Sequence, residues 1–242
     1  MFCRTVARIN VQSTAAPFQE AAIFIEIENI LTAQELSRLD QIAASAKFVD
    51  GRASNPHNQT KYNLQIDTTT DLYKESSTIL GQALLRNEEV RNFAFIHRFA
   101  PPLMSRYQPN MKYGKHPDNA FLPMQPTPMR SDISCTIFIA DPASYDGGEL
   151  TIHLGSKPIT IKGKRGAAVL YPSTTIHEVQ PVTRGERLVA ITFMESQICD
   201  EKKRDLLYTL NEVAALEGLK MDWDNRVRLE HVRHSLHRMW ST

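Results

Sequence analysis

From about residue 93 to residue 198 the sequence breaks into short runs rich in Ile, Val, Thr and Phe, each cut off by Gly, Pro or Asp. "DISCTIFIAD", "GGELTIHLG", "PITIKG", "AAVLYP", "TIHEVQPV" and "ERLVAITFME" are examples. β-Branched and aromatic side chains suit a pleated, half-buried surface, and the Gly and Pro punctuation marks turns. Short strands at such close spacing, with few helical patterns between them, predict a β-sandwich or barrel.

Both flanks read as helix. In "LTAQELSRLDQIAASAKF" Thr32 and Glu35 form a capping box, and Leu36, Leu39, Ile42, Ala43 and Ala46 recur at helical spacing. Residues 71 to 86, "DLYKESSTILGQALLR", predict a second helix with Leu72, Ile79, Leu80, Ala83 and Leu84 as its buried stripe. After the β-rich region, "CDEKKRDLLYTLNEVAALEG" places Leu206, Leu207, Leu210, Val213 and Ala214 on one face, and "DWDNRVRLEHVRHSLHRMW" follows as helix. The expected architecture is mainly β with flanking helices that cover an outer face of the sheet. Along the chain it divides into an N-terminal extension (1–22), a main domain (23–198) and a C-terminal helical segment (199–242). A chain of 242 residues, 42% hydrophobic, suits one domain of good size. Phe24, Phe48 and Cys135 are expected in the core.

Composition excludes several classes of function. With 28 basic and 27 acidic residues the net charge is +1, which gives no general grip on nucleic acid or on an anionic membrane. No run is long and apolar enough to span a bilayer. The cysteines, Cys3, Cys135 and Cys199, are odd in number and far apart, which fits a reducing cytoplasm rather than a disulfide framework. The first nineteen residues hold two arginines and no acid, faintly like a transit peptide; a ragged terminal extension is the simpler reading.

"MKYGKHPDNAF", residues 111 to 121, has the composition of a turn but carries His116 and Asp118 two residues apart. On extended backbone such a pair points one nitrogen and one oxygen to the same side. Pro117 pushes His116 toward extended geometry and cannot donate to a sheet, so the segment is expected at a strand end or edge. His177, in a later β-rich run, is the candidate third ligand. Two histidines and one carboxylate leave positions open and suit non-haem Fe(II); zinc accepts the same ligands. Ten residues on, Arg187 opens a strand in which Arg187, Val189, Ile191 and Phe193 share a face. An inward guanidinium needs an anion, supplied either by a protein carboxylate or by a bound one, which Arg grips in bidentate fashion.

The segments "RYQPNMKYGKHPDNA", "RSDISCTIFIADPASYDGGEL", "AAVLYPSTTIHEVQPVTRGER" and "SQICDEKKRDLLYTL" resemble the PKHD-type hydroxylases, bacterial relatives of prolyl 4-hydroxylases among the Fe(II)/2-oxoglutarate dioxygenases. "FVDGRAS", "KYNLQI" and "HSLHRMW" extend the likeness from about residue 23 to the end, in order. The resemblance implies a double-stranded β-helix (jelly roll). It implies Fe(II) held by His116, Asp118 and His177, with Arg187 on the distal carboxylate of the co-substrate 2-oxoglutarate. Tyr107 matches a position that in related enzymes can also reach that carboxylate. Also implied are conversion of 2-oxoglutarate and O2 to succinate and CO2, hydroxylation of a small-molecule or peptide substrate, and ascorbate as a further cofactor. Related halogenases lack the carboxylate ligand, so Asp118 favours hydroxylation. Two stretches depart from the family pattern: "QPNMK" before "YG", and "FLPMQPTPMR" after "HPDNA", which is expected to shape the substrate pocket.

Two other functions compete, a zinc-dependent hydrolase on the same ligands and a non-catalytic jelly roll binding a small acid or sugar. The first lacks an obvious general base and leaves Arg187 unexplained; the second would tolerate loss of the ligands. Other features have plainer readings. His231, His234 and His237 drift around a helix with no carboxylate to close a metal set. "DPASYDGGEL" has the wrong spacing for a calcium loop. Asn119 and Asp132 either line the site or serve turns. His153 faces either cavity or solvent. The amphipathic tail suits a homodimer.

Overall fold

The punctuated central region folds into two facing sheets. The structure is a computed structural model that describes residues 24–55 and 58–241. The expected extension, residues 1–22, lies outside the described residues, and so does its transit-peptide alternative.

β1 (Ile25–Ile27) precedes α1 (Ala33–Ser45), after which β2 (Phe48–Asp50), β3 (Lys61–Tyr62) and β4 (Leu64–Ile66) lead to α2 (Asp71–Arg86) and α3 (Glu88–Ala94). β5 (Ile96–Phe99), β6 (Leu103–Tyr107) and β7 (Lys112–His116) follow, then a small hairpin of β8 (Phe121–Leu122) and β9 (Met129–Arg130). β10 (Ile133–Phe138), β11 (Asp146–Gly147), β12 (Leu150–Leu154) and β13 (Lys157–Ile161) come next. β14 (Ala168–Pro172), β15 (His177–Val179), β16 (Val182–Arg184) and β17 (Arg187–Ser196) complete the strands. α4 (Glu201–Glu217) and α5 (Trp223–Trp240) end the chain.

The larger sheet runs β1-β14-β10-β17-β6-β4-β2, with β5 also paired to β17. The smaller runs β13-β12-β15-β7-β3, and β11 pairs with β16. All these pairings are antiparallel. This is the expected jelly roll, a β core with flanking helices. The first four strands add to it from a region that reads chiefly as helix: β1, β2 and β4 extend the larger sheet and β3 edges the smaller. Runs of two or three residues carry no periodicity, so only pairing with distant strands makes them β.

Side chains alternate across β17 and divide the core in two. Leu188, Ala190 and Met194 point outward and pack with Met104, Ile133, Cys135 and Leu170 against Leu39 and Ile42 of α1 and Leu80 and Leu84 of α2. Val189 points inward, with Ile191 packed beside it, among Tyr107, Ile152, Val169, Tyr171 and Val182 between the sheets. The helices thus brace one face of the larger sheet, and the other faces the interior where the site lies. Phe24 packs at the edge of the inner cluster and Phe48 at the edge of the outer one.

The predicted capping box opens α1: Glu35 N donates to Thr32 Oγ1 at 3.2 Å, and Thr32 N donates to Glu35 Oε2 at 2.8 Å. α4 departs from expectation. Leu207, Tyr208 and Ala214 are buried, while Leu206 and Val213 of the expected stripe are 50% and 43% exposed. The reason is the neighbour: Tyr208 meets Phe93 of α3 edge-on at 5.4 Å, which selects a contact line rotated from the apolar face read in sequence.

Candidate metal centre

Strand pairing brings the two histidines together. His116 ends β7, His177 opens β15, and the two are direct partners in the ladder. The next pairing is Val179 with Tyr113, so two steps on β15 face three on β7, a β-bulge. The extra residue lets Tyr113 and His116, an odd number of positions apart, share a face, and their rings stack at 3.6 Å. Pro117 ends the strand as expected. The chain then crosses to the turn before β15, where Asp118 N donates to Ser173 O at 3.3 Å.

Each histidine is oriented by a backbone carbonyl. His116 Nδ1 lies 2.7 Å from Gly114 O, and His177 Nδ1 lies 3.0 Å from Thr175 O. With Nδ1–H donated, both Nε2 lone pairs are free to converge. Asp118 Oδ1 is 4.0 Å from His116 Nε2, and Oδ2 is 3.7 Å from His177 Nε2. One ligand atom from each residue lies within 4.8 Å of the others, a spacing that can hold one metal ion.

The electrostatics also ask for a cation. Burial, followed by the neighbouring His177 imidazole, pushes His116 down to about 4, so its imidazole is neutral and able to coordinate near pH 7. Burial raises the Asp118 carboxyl above its usual range, the sign of a carboxylate lacking a counter-charge. Ser134 Oγ donates to Asp118 Oδ2 at 2.5 Å and sits 2.8 Å from Ser173 Oγ, to which Ser131 Oγ donates at 2.9 Å. This hydroxyl chain fixes one carboxylate oxygen.

Arg187 is 1% exposed on the inner face of β17, opposite Tyr107 of β6. Its guanidinium lies 5.0 Å from the Tyr107 ring centre and beside the Tyr145 hydroxyl. It makes no ion pair with a carboxylate among the described residues, and its buried Nε has no partner. Of the two anion sources open in the sequence, a protein carboxylate is absent from contact among the described residues, and the guanidinium fits a bound carboxylate. The Tyr171 ring meets His177 edge-on at 5.1 Å, and burial pushes its hydroxyl well above the usual tyrosine range.

A cleft of about 220 Å3 opens onto His116 and Asp118. Lys61, Tyr113, Leu103, Leu122, Ile191 and Phe193 are among its walls, and Asn119 lines it as one of its two readings had it. Leu122 comes from the atypical 121–130 segment, which borders the cleft at this point. Asp132 serves structure instead, accepting from Arg130 Nε and Ser196 N at 2.8 Å each. His153 turns to Glu178 at 3.0 Å and takes no part in the centre. A larger cavity, about 700 Å3, lies between α3, β5 and the C-terminal helices and touches none of the three ligands. His237 there bonds Gln197 at 2.8 Å and packs on Phe95, consistent with a packing role for the tail histidines. Sequence reasoning missed Lys61, Tyr113, Ser134 and Tyr145, although Lys61 lies in "KYNLQI", one of the segments that carry the family likeness.

Residues 102–195 match the 2OG-Fe(II) oxygenase superfamily. A PKHD-type hydroxylase of Sphingopyxis alaskensis is 52% identical over 202 residues, 84% of this chain and 92% of that protein. Among solved structures, a Pseudomonas putida prolyl-4-hydroxylase superposes with a TM-score of 0.52 at 18% identity, over 71% of this chain and 92% of the other. A Trichoplax adhaerens prolyl hydroxylase, in complex with a hypoxia inducible factor oxygen degradation domain peptide fragment, gives 0.52 at 19% identity, over 76% and 86%. The two structures speak for the fold alone; identity across nearly the whole length of the Sphingopyxis protein carries the assignment further. The chain belongs to the PKHD-type hydroxylases, enzymes of the Fe(II)- and 2-oxoglutarate-dependent oxygenase superfamily.

Proposed function

We propose that this enzyme hydroxylates a C–H bond presented in the cleft above His116 and Asp118, using Fe(II) held by His116, Asp118 and His177 and 2-oxoglutarate held by Arg187. The observation that carries the reading is the pairing of three convergent ligand atoms with a buried guanidinium that meets no carboxylate among the described residues and whose Nε has no hydrogen-bond partner there. Bound together, Fe(II) and 2-oxoglutarate supply oxidising chemistry that puts one atom of O2 on the substrate and the other on succinate, with release of CO2. Ascorbate is the proposed reductant that keeps the iron ferrous.

The chain's own residues bind and orient. Gly114 O and Thr175 O hold the imidazoles with Nε2 inward, and Ser134 holds one Asp118 oxygen. Arg187, flanked by Tyr107 and Tyr145, fixes the far end of the co-substrate by paired charge-assisted hydrogen bonds. Leu103, Ile191 and Phe193 line the cleft, and such apolar walls keep water from the reacting bond. At about 220 Å3 the cleft is smaller than the ~300–1,000 Å3 of pockets for drug-sized ligands. It suits a single side chain or an amino-acid-sized molecule, as a small-molecule or peptide substrate would present.

The test is anaerobic Fe(II) binding followed by addition of 2-oxoglutarate and O2. Succinate should form with Fe(II), and His116→Ala or Asp118→Ala should abolish it. Hydrolysis supported by zinc alone, with no succinate, would favour the competing hydrolase.

A further inference from the structure

Lys61 is a buried ammonium that neither the iron site nor the co-substrate site uses. It sits on β3 at the edge of the smaller sheet, paired with Tyr113, and is 6% exposed. Its Nζ donates to Ser54 Oγ at 2.6 Å and lies 5.3 Å from the Tyr113 ring centre. That ring stacks directly on the ligand His116, and its hydroxyl accepts from Asn55 Nδ2 at 3.1 Å. Lys61, Ser54, Asn55 and Tyr113 all line the cleft that opens onto His116 and Asp118.

An ammonium has three donors, and the hydroxyl of Ser54 occupies one. No carboxylate among the described residues pairs with Lys61; Asp118 and Asp50 act on it only at longer range. Burial pulls its pKa down to about 8, so it is still mostly charged at pH 7. A desolvated cation with spare donors is unfavourable unless something anionic completes it. It is also the one Lys or Arg among the described residues of this cleft, whose other wall, Leu103, Leu122, Ile191 and Phe193, is apolar.

Building on the function proposed above, we propose that Lys61 binds a carboxylate of the primary substrate, so that the enzyme takes an aliphatic group carrying a free carboxylate and places its C–H over the metal ligands. Ser54 fixes the ammonium, and Asn55 fixes the Tyr113 ring between carboxylate and metal. The carboxylate belongs either to a small amino-acid-like molecule or to a peptide end, and the recognition chemistry is the same for both.

The experiment uses the Fe(II)-loaded enzyme with 2-oxoglutarate and O2, and reads succinate formed above the rate without added substrate. The probes are N-acetyl derivatives of the common amino acids as free acids and as primary amides, and Gly-Gly-Xaa tripeptides with free or amidated C-termini. Acids should exceed their amides by about tenfold or more in kcat/KM, equivalent to about 1.4 kcal/mol. The small-acid and tripeptide arms identify the source. Lys61→Arg should keep part of the preference and Lys61→Met should lose it. The proposal is overturned if acids and amides stimulate equally, if no acid stimulates, or if Lys61→Met raises only the KM for 2-oxoglutarate and leaves the preference intact. The wild-type comparison of acid with amide needs no variant, so a misfolded Lys61→Met protein leaves the test standing. Absence of Fe(II)-dependent succinate under every condition would instead sink the proposed function itself.

Discussion

Replacing Arg187 by Ala removes a guanidinium whose Nε has no protein partner in the inner core. Charged hydrogen bonds of this kind contribute about 1.5–3 kcal/mol each. Arg187→Ala is therefore expected to raise the KM for 2-oxoglutarate by about a hundredfold, with a smaller change in kcat. Arg187→Lys should fail to restore it, because an ammonium lacks the planar fork. An unchanged KM in steady-state assays would remove Arg187 from the role. Ser134 tests the metal end. Its hydroxyl holds Asp118 Oδ2 at 2.5 Å, and loss of such a supporting bond typically lowers metal affinity by about 10–100-fold. Anaerobic titration of Ser134→Ala with Fe(II) should show that weakening, and wild-type affinity would mean the hydroxyl is dispensable. His116, Asp118, His177 and Arg187 came forward as candidates in the sequence because the family likeness, running in order through their motifs, carries them. Ser134 and Lys61 did not: a serine in an apolar strand and a lysine in a two-residue strand acquire meaning only from what lies across the fold.

At the scale of elements, the turn from β11 to β12 shapes the floor under Arg187. Gly148 has φ +68°, and a Cβ there would lie 2.9 Å from Arg187 Cδ and from Val182 Cγ2. Gly148→Ala should displace the guanidinium and raise the KM for 2-oxoglutarate, on top of a left-handed backbone penalty of about 1–2 kcal/mol. Gly155→Ala is the control. Its φ is also positive, at +59°, but nothing lies within 4 Å, so its KM should stay at the wild-type value. The helices supply a pH test. Arg86 of α2 grips Glu35 of α1 through both carboxylate oxygens, at 2.5 and 2.6 Å. That grip, helped by Thr32, pulls the Glu35 carboxyl from an ordinary 4.5 down to about 2. The folded state then binds the proton less readily than the unfolded chain, so the contribution is full above pH 4.5 and fades as pH falls toward 2. Solvent screening limits it to about 1 kcal/mol. Urea unfolding should find Glu35→Gln less stable than wild type at pH 7 and equal to it near pH 2; a constant difference would count against the ion pair.

For the whole molecule, the two histidine ligands stand on strands locked by pairing, Asp118 follows just past the end of one of them, and the outer core packs independently against the helices. The metal is thus a guest of a finished fold rather than its nucleus. Chelation should leave far-UV circular dichroism unchanged. At a free Fe(II) concentration of about 100 times Kd, binding adds about 2.7 kcal/mol. For a chain of this size that predicts a fall in Tm of about 5–10 °C on metal removal, whereas loss of secondary structure would show that the metal holds the fold. The sequence by itself determined the β core and the capped helices, because two-residue and 3.6-residue periodicities are local properties of the chain, and its family likeness, carried by motifs in order along the chain, named the candidate ligands. Only the tertiary structure decided the bulge that sets Tyr113 on His116, the burial of Arg187 without a carboxylate partner among the described residues, the rotated contact face of α4 and the place of Lys61 in the cleft. Each of these depends on which distant strand or helix lies opposite, and that is settled by long-range pairing and packing, which no local pattern records.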